Sequence, residues 1–134
     1  YFYSHPRPPM VPEMGNAVAG LAGGVIRDAE LDEEVIVMPP AKGAVHSADI
    51  EYAMGTLSTN TVYAWTTEDQ QVSELMQGYY ANFIKTGDPN GDGLPDWPNA
   101  SEGAEMRYMV WDVQPTVKVD SHRERYIFLD RISG

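Results

Sequence analysis

The sequence contains no cysteine and few basic residues. Without cysteine there is no disulfide framework, no thiolate nucleophile and no thiolate metal site. Nine lysine and arginine residues stand against 20 aspartate and glutamate residues, which gives a formal net charge of −11 at pH 7. Because binding to nucleic acid or to an anionic membrane surface depends on clustered basic residues, we expect neither as a partner.

Long apolar runs are also missing. No run approaches the roughly 20 residues that cross a bilayer as a helix, so we expect no membrane-spanning segment. With 43% hydrophobic and 22% charged residues, the composition is ordinary for a soluble globular protein. The 134 residues suffice for one domain with its own core, and we take 1–134 as one unit.

The first third of the chain is irregular. Residues 1–3 are aromatic and β-prone, and they are followed by a cluster of prolines. From about 10 to 42 the chain is punctuated by proline and glycine and carries an acidic run. We expect an excursion there that is mobile or covers a site, with one short strand candidate at 35–38.

A long helix is predicted after this excursion. Thr67 and Gln70 have the spacing of a capping box, and apolar residues recur three and four apart over 72–84. Gly87 follows where a left-handed helix cap belongs. The pattern therefore predicts an amphipathic helix that ends at Gly87.

The C-terminal third predicts strands and a second helix. Residues 106–112 and 116–120 are typical of two short strands separated by a turn. Ser121 and Glu124 have the spacing of a second capping box, which predicts a final helix to about Ile132. Strands and helices together indicate an α/β chain.

Of the three histidines, His46 has the setting of a catalytic residue. Small residues flank it, and the carboxylates Asp49 and Glu51 follow three and five positions later. Small neighbours let an imidazole reach into a cleft, and imidazole is the usual proton carrier near neutral pH. From the residues alone, packing or capping is the more common role for a lone histidine, and a catalytic role is the alternative. His5 and His122 have no comparable setting, and we expect both to be structural.

Two segments resemble landmarks of one family. Residues 43–55 read GAVHSADIEYAMG and resemble the histidine motif of the type-B carboxylesterases, which include the cholinesterases and the bacterial para-nitrobenzyl esterases. That motif is Gly-x-x-His, an acidic residue three and often five positions on, an aromatic residue and a turn ending in glycine. Residues 79–91 (YYANFIKTGDPNG) and 94–98 (LPDWP) resemble the next landmark at the expected distance. The resemblance covers nearly the whole chain except about 11–42.

The resemblance implies the C-terminal part of an α/β-hydrolase fold, truncated and without the nucleophile elbow. In this family a serine attacks the ester carbonyl, the histidine takes its proton and returns it to the leaving alcohol, and a carboxylate orients the ring. His46 alone has a match here; it would be the general base, with Asp49 and Glu51 in supporting roles. The chain by itself would then be inactive. The implied partners are a small-molecule ester and the missing N-terminal part of the same hydrolase, with no cofactor.

Other functions stay open at this point. The fold can lose its serine and persist as an adhesion-type binding protein, and the chain could be a free-standing structural domain. A calcium site is the third alternative, because four oxygen-bearing residues stand at positions one, three, five and nine of a calcium-loop pattern: Asp88, Asn90, Asp92 and Asp96. Position twelve is Asn99 rather than glutamate, so we expect a structural turn and no metal.

Overall fold

The computed structural model describes residues 1–15, 17–19, 25–26, 42–100, 103 and 105–133. Within these residues lie five strands: β1 (Phe2–Tyr3), β2 (Val18–Ala19), β3 (Val25–Ile26), β4 (Arg107–Trp111) and β5 (Thr116–Val119). Three α-helices accompany them: α1 (Ile50–Ala53), α2 (Thr67–Thr86) and α3 (Arg123–Ser133). None of the helices described here is long and apolar enough to cross a bilayer.

The main sheet has the strand order β1-β4-β5. β1 runs parallel to the central strand β4, with Phe2 opposite Val110, and β5 pairs antiparallel with β4. The last three residues of β4 are buried, whereas all of β5 is exposed. The strands predicted at 1–3, 106–112 and 116–120 are therefore confirmed. Of the two longer strands, β4 contributes buried side chains to the core.

The capping box of helix α2 lies one residue earlier than predicted, at Thr66 and Asp69. The hydroxyl of Thr66 accepts the backbone N–H of Asp69, and the Asp69 carboxylate accepts the backbone N–H of Thr66 at 2.7 Å. Thr66 is extended, as an N-cap must be, whereas Thr67 is already helical, so the Thr67–Gln70 assignment was wrong. The C-terminal cap is confirmed: Gly87 has φ 80° and its N–H bonds to the carbonyl of Phe83.

The core joins α1 and α2 to the sheet. Its buried side chains are Tyr52, Leu57, Val72, Met76, Tyr79, Met109 and Trp111. Trp111 is fully buried and meets the ring of Tyr79 edge-on, with centroids 5.0 Å apart. Burying each large apolar side chain stabilises the fold by about 1.5–3 kcal/mol, so the contact of α2 with β4 fixes both elements.

The C-terminal part of the helical layer is exposed. Phe83 and Ile84, at the end of α2, lie largely in solvent, so the predicted apolar face is buried only nearer its start. Helix α3 has no buried residue. The carboxylate of Asp120 accepts the N–H of His122 ahead of α3, and the hydroxyl of Ser121 contacts the His122 ring. The predicted final helix is present and begins at Arg123, two residues after Ser121.

The first residues of the 10–42 excursion are hydrogen-bonded to the segment that precedes α2. Met10 pairs with Tyr63 in an antiparallel bridge, and the N–H of Val11 donates to the carbonyl of Val62. A 3-10 turn follows at Pro12–Met14, and β2 pairs antiparallel with β3. The strand candidate at 35–38 lies outside the described residues.

Candidate catalytic histidine and its surroundings

His46 projects from a tight turn that precedes α1. The residue after it, Ser47, has φ 60°, an unusual value for a residue other than glycine. Ala48 is fully buried, and its N–H donates to the carbonyl of Val45. A larger side chain would have no room at Ala48, so the small residue anchors the turn while His46 stays exposed.

The imidazole of His46 lines a cavity of about 310 Å³. The other lining residues come from five segments: Arg7, Val25, Ser47, Glu51, Asn60, Val62 and Tyr63. Val25 belongs to β3, so part of the 10–42 excursion forms a wall of this cavity. Among the described residues no side chain forms a hydrogen bond with the His46 ring, which leaves it accessible to a bound molecule.

The two carboxylates near His46 bind elsewhere. The Asp49 carboxylate accepts the hydroxyl of Tyr1 at 2.9 Å. Glu51 accepts Nη2 of Arg7 at 2.6 Å and the side-chain amide of Asn60. Neither carboxylate is hydrogen-bonded to His46. Asp49 instead connects the turn to Tyr1, just before β1, and Glu51 connects α1 to Arg7, after β1.

Arg7 is a residue that the sequence patterns did not single out. Its guanidinium forms the ion pair with Glu51 and lies 5.0 Å from the centroid of the Tyr63 ring, in cation–π geometry. Arg7 and Glu51 are 44 positions apart in sequence, so no local spacing could indicate their contact. Both residues of the pair line the cavity that His46 also lines.

The family of the chain follows from comparison with known proteins. A model of the carboxylesterase family matches residues 27–129, more than half of the chain. The chain belongs to the carboxylesterase family. It is 32% identical to human cocaine esterase over 92 residues, and 40% identical to carboxylesterase 5A of the dog over 78 residues.

The three-dimensional structure matches solved structures of other carboxylesterases. The chain matches a PNB esterase with a TM-score of 0.55 and 26% identity over 67% of its own length. A carboxylesterase from Geobacillus stearothermophilus matches with a TM-score of 0.53 and 26% identity over 66%. These are α/β-hydrolase folds, and the chain corresponds to a part of that fold. It spans 16% of cocaine esterase and 19% of the PNB esterase.

A second cluster of polar side chains in this carboxylesterase segment lies next to Tyr52 of α1. His5 is buried, with Nε2 at 2.9 Å from Oδ1 of Asp69 and Nδ1 at 3.2 Å from Oδ1 of Asp112. The hydroxyl of Tyr52 donates to the same Asp69 oxygen at 2.6 Å. We expected His5 to be structural; its two carboxylate partners lie 64 and 107 positions away and carry no sequence signal.

A larger cavity, about 790 Å³, lies between the end of α2 and the turn that follows. Its lining residues are mostly aromatic, proline, asparagine and aspartate: Tyr79, Tyr80, Phe83, Gly87, Asp88, Pro89, Asn90, Asp96, Trp97, Pro98, Asn99 and Ala100. None of the described residues that line it is a histidine, serine or lysine. Size alone therefore does not identify the functional site, and the chemistry of a proton carrier favours the smaller cavity.

The turn with calcium-loop spacing is closed by its own hydrogen bonds. The side chain of Asn90 accepts the N–H of Trp97 at 2.7 Å and donates to its carbonyl at 3.0 Å. Asp88 accepts both the backbone and the side-chain N–H of Asn90 at 2.9 Å. Across the described ranges, no group of three or more histidine, aspartate or glutamate side chains is placed to hold a metal ion.

Proposed function

We propose that this chain is the part of a serine carboxylesterase that supplies the general base, His46. The observation that carries the proposal is the setting of that imidazole, which is exposed in a cavity and held on a turn anchored by buried Ala48. Membership of the carboxylesterase family, with His46 inside the matched residues 27–129, supports the same role.

The chemistry follows from the proton that an imidazole can carry. A serine from elsewhere in the full-length protein attacks the carbonyl carbon of the ester, and the neutral His46 ring takes the proton from its hydroxyl. The protonated ring then gives that proton to the departing alkoxide, which leaves as the alcohol. In the second half, His46 takes a proton from a water molecule that attacks the acyl carbon, and returns it to the serine oxygen as the acyl–serine bond breaks and the acid leaves. The substrate is a small-molecule ester.

Asp49 and Glu51 act by holding the turn. Each carboxylate is already bonded to another side chain, Tyr1 for Asp49 and Arg7 for Glu51. A carboxylate engaged in this way stabilises the geometry of the turn without touching the ring. The carboxylate that orients His46, the serine and the oxyanion donors therefore come from the remainder of the full-length protein, which is the partner of this segment.

The test compares the full-length esterase with single variants on p-nitrophenyl acetate. We expect His46→Ala to lower kcat by roughly 10⁴-fold with little change in KM, as for a group that acts in the transition state. His122→Ala is the matched control, because His122 is exposed in the turn just before α3 and should leave kcat unchanged. The chain of 134 residues alone should show no hydrolysis above background.

Two results would contradict the proposal. A loss of less than about tenfold in His46→Ala would return His46 to a packing or capping role. Absence of hydrolysis by the full-length protein, with no serine labelled by a phosphonate, would favour a non-catalytic binding protein of the same fold.

A further inference from the structure

The larger cavity, at the end of α2, contains none of the residues assigned above to ester hydrolysis. Four of the described residues that line it are aromatic: Tyr79, Tyr80 and Phe83 of α2, and Trp97 of the following turn. Tyr79 and Phe83 are four positions apart, so they lie on one face of the helix. The volume, about 790 Å³, is typical of a site for a small organic molecule.

The aromatic lining is held in place by hydrogen bonds. The side chain of Asn90 accepts the N–H of Trp97 at 2.7 Å and donates to its carbonyl at 3.0 Å. The hydroxyl of Tyr79 donates to the carbonyl of Pro95, and the Tyr79 and Trp97 rings meet edge-on with centroids 5.5 Å apart. Because these contacts fix the rings in advance, a ligand that binds there orders little of the protein.

The charged side chains of the lining are acidic. Asp88 and Asp96 both contribute a carboxylate. Within the described parts of the chain, the Asp96 carboxylate accepts no hydrogen bond and forms no ion pair. Burial and, after it, the negative charge of Asp96 raise the pKa of Tyr79, which places this charge beside the aromatic lining.

The end of α2 adds to the negative potential of the cavity. This helix has 20 residues, and Gly87, its C-terminal cap, lines the cavity. The last carbonyls of a helix carry a partial negative charge, which favours a cation nearby. Lys85 is the basic residue of the last turn, but it is not among the lining residues. None of the described residues that line the cavity is a lysine, arginine or histidine, so the lining does not neutralise its own charge.

Aromatic rings combined with carboxylates favour an organic cation over a metal ion. Aromatic ring faces attract ammonium groups, and such cages are the usual way in which proteins recognise quaternary amines. Calcium instead prefers about six to eight oxygen ligands, which rings do not supply. A neutral ligand would contact the rings but leave the carboxylates without a counter-charge.

We propose that this cavity binds an organic ammonium ion, with its cationic group beside Asp88 and Asp96 and its apolar part against Phe83 and Trp97. The ligand class is an aryl or alkyl amine that carries a permanent positive charge. The proposal does not depend on the function proposed for His46, because that residue lines the other cavity.

The test is a titration of the full-length protein with benzyltrimethylammonium, followed by isothermal calorimetry. We expect a Kd on the order of 1 mM or below, which rises as salt is added. Benzyl alcohol has the same ring and no charge, and it should bind roughly tenfold more weakly or not at all. Treatment with a serine-directed phosphonate should leave binding of the cation unchanged, since that reagent would occupy the catalytic site.

Two variants locate the bound cation. Asp96→Asn removes one carboxylate and should weaken binding by roughly two- to fivefold. Phe83→Leu removes a ring but keeps an apolar side chain, and it should weaken binding by a similar factor. Both side chains are exposed, so the fold should tolerate the substitutions. Asp92→Asn is the matched control, because Asp92 is exposed in the same turn but does not line the cavity.

The outcomes decide the proposal in either direction. Binding that weakens in Asp96→Asn and Phe83→Leu, and stays unchanged in Asp92→Asn, supports it. Equal binding of benzyl alcohol would show an apolar cavity without recognition of charge and would overturn it. Binding of the cation that both variants leave intact, or that the phosphonate abolishes, would place the ligand elsewhere and overturn it as well.

Discussion

Arg7 and Glu51 form an ion pair, 2.6 Å between Nη2 and Oε2, that ties the segment leaving β1 to the short helix after His46. Both side chains are about four-fifths buried. Charges in such a position are screened less than surface pairs, and removing one leaves the other without a partner in a poorly hydrated place.

We therefore expect Arg7→Ala and Glu51→Gln each to lower the free energy of unfolding by about 2 kcal/mol. The loss of unfolding free energy in the double variant should be smaller than the sum of the two single losses, because each single substitution already removes the same ion pair. Urea unfolding of the four proteins measures the coupling. Arg107→Ala, at an exposed position of β4, is the matched control. Effects that add within about 0.5 kcal/mol would show that the two residues act independently.

The turn after α2 depends on Asn90. Its amide group pairs with both the N–H and the carbonyl of Trp97, and it also donates to Asp88. Asn90→Ala should lower stability by about 1–3 kcal/mol, because partly buried backbone groups lose their partners. Asp92→Asn, exposed in the same turn, should change little.

The same turn should not respond to calcium. Asp88 and Asn90, two of its four candidate oxygen ligands, are engaged in internal hydrogen bonds, and position twelve is Asn99. The melting temperature of the wild type should therefore be the same with and without millimolar calcium. A rise of several degrees that disappears in Asp88→Ala would instead establish a metal site at 88–96.

The stability of the fold should fall in acid through Asp69. Its pKa in the folded state is below its ordinary value of 3.8, because hydrogen bonds to the charged form outweigh burial. A group with a lowered folded pKa stabilises the protein above its unfolded pKa, and this contribution is lost as pH falls through the folded value. The difference in stability between wild type and Asp69→Asn should be largest near neutral pH and shrink below about pH 4.

Urea unfolding at several pH values measures this difference. Asp130→Asn, at an exposed position of α3, is the control and should give a difference that does not change with pH. A gap between wild type and Asp69→Asn that stays constant from pH 7 to pH 3 would contradict the prediction.

The backbone at Ser47 restricts which residue can follow His46. At φ 60° a β-branched side chain collides with its own backbone, so Ser47→Val should cost about 1–2 kcal/mol and lower the melting temperature by several degrees. Ser47→Gly should be neutral or slightly stabilising, since relief of the strain offsets the greater freedom of glycine in the unfolded chain. Ser58→Val, in the 3-10 turn Leu57–Thr59, is the control. Equal melting temperatures for Val and Gly at 47 would disprove the strain.

The elements that sequence predicts well are those set by neighbouring residues. The long helix, its cap at Gly87 and the two C-terminal strands follow from spacing within a few residues. Thr66 and Thr67 each have a polar residue three positions on, so spacing alone does not choose between them. The choice depends on the extended backbone of Thr66.

The features of the candidate site can likewise be separated into those set by neighbouring residues and those set by long-range packing. The turn of His46 is local and its motif is legible in the sequence, whereas the partners of His5 and Arg7 lie 44 to 107 positions away. Contacts of that separation are created by the packing of α1 and α2 on the sheet. No spacing rule applies to them, and they became visible only with the fold.

Helix α3 buries none of its residues, although Tyr126, Phe128, Leu129 and Ile132 are apolar. An 11-residue helix without tertiary support is marginal in water, so its amides should exchange with deuterium almost as fast as those of a free peptide. Amides in the middle of α2, which packs on the core, should exchange orders of magnitude more slowly. Deuterium uptake along α3 therefore measures whether this helix is packed against another surface. Slow exchange of its amides in a longer protein would show that such a surface covers α3.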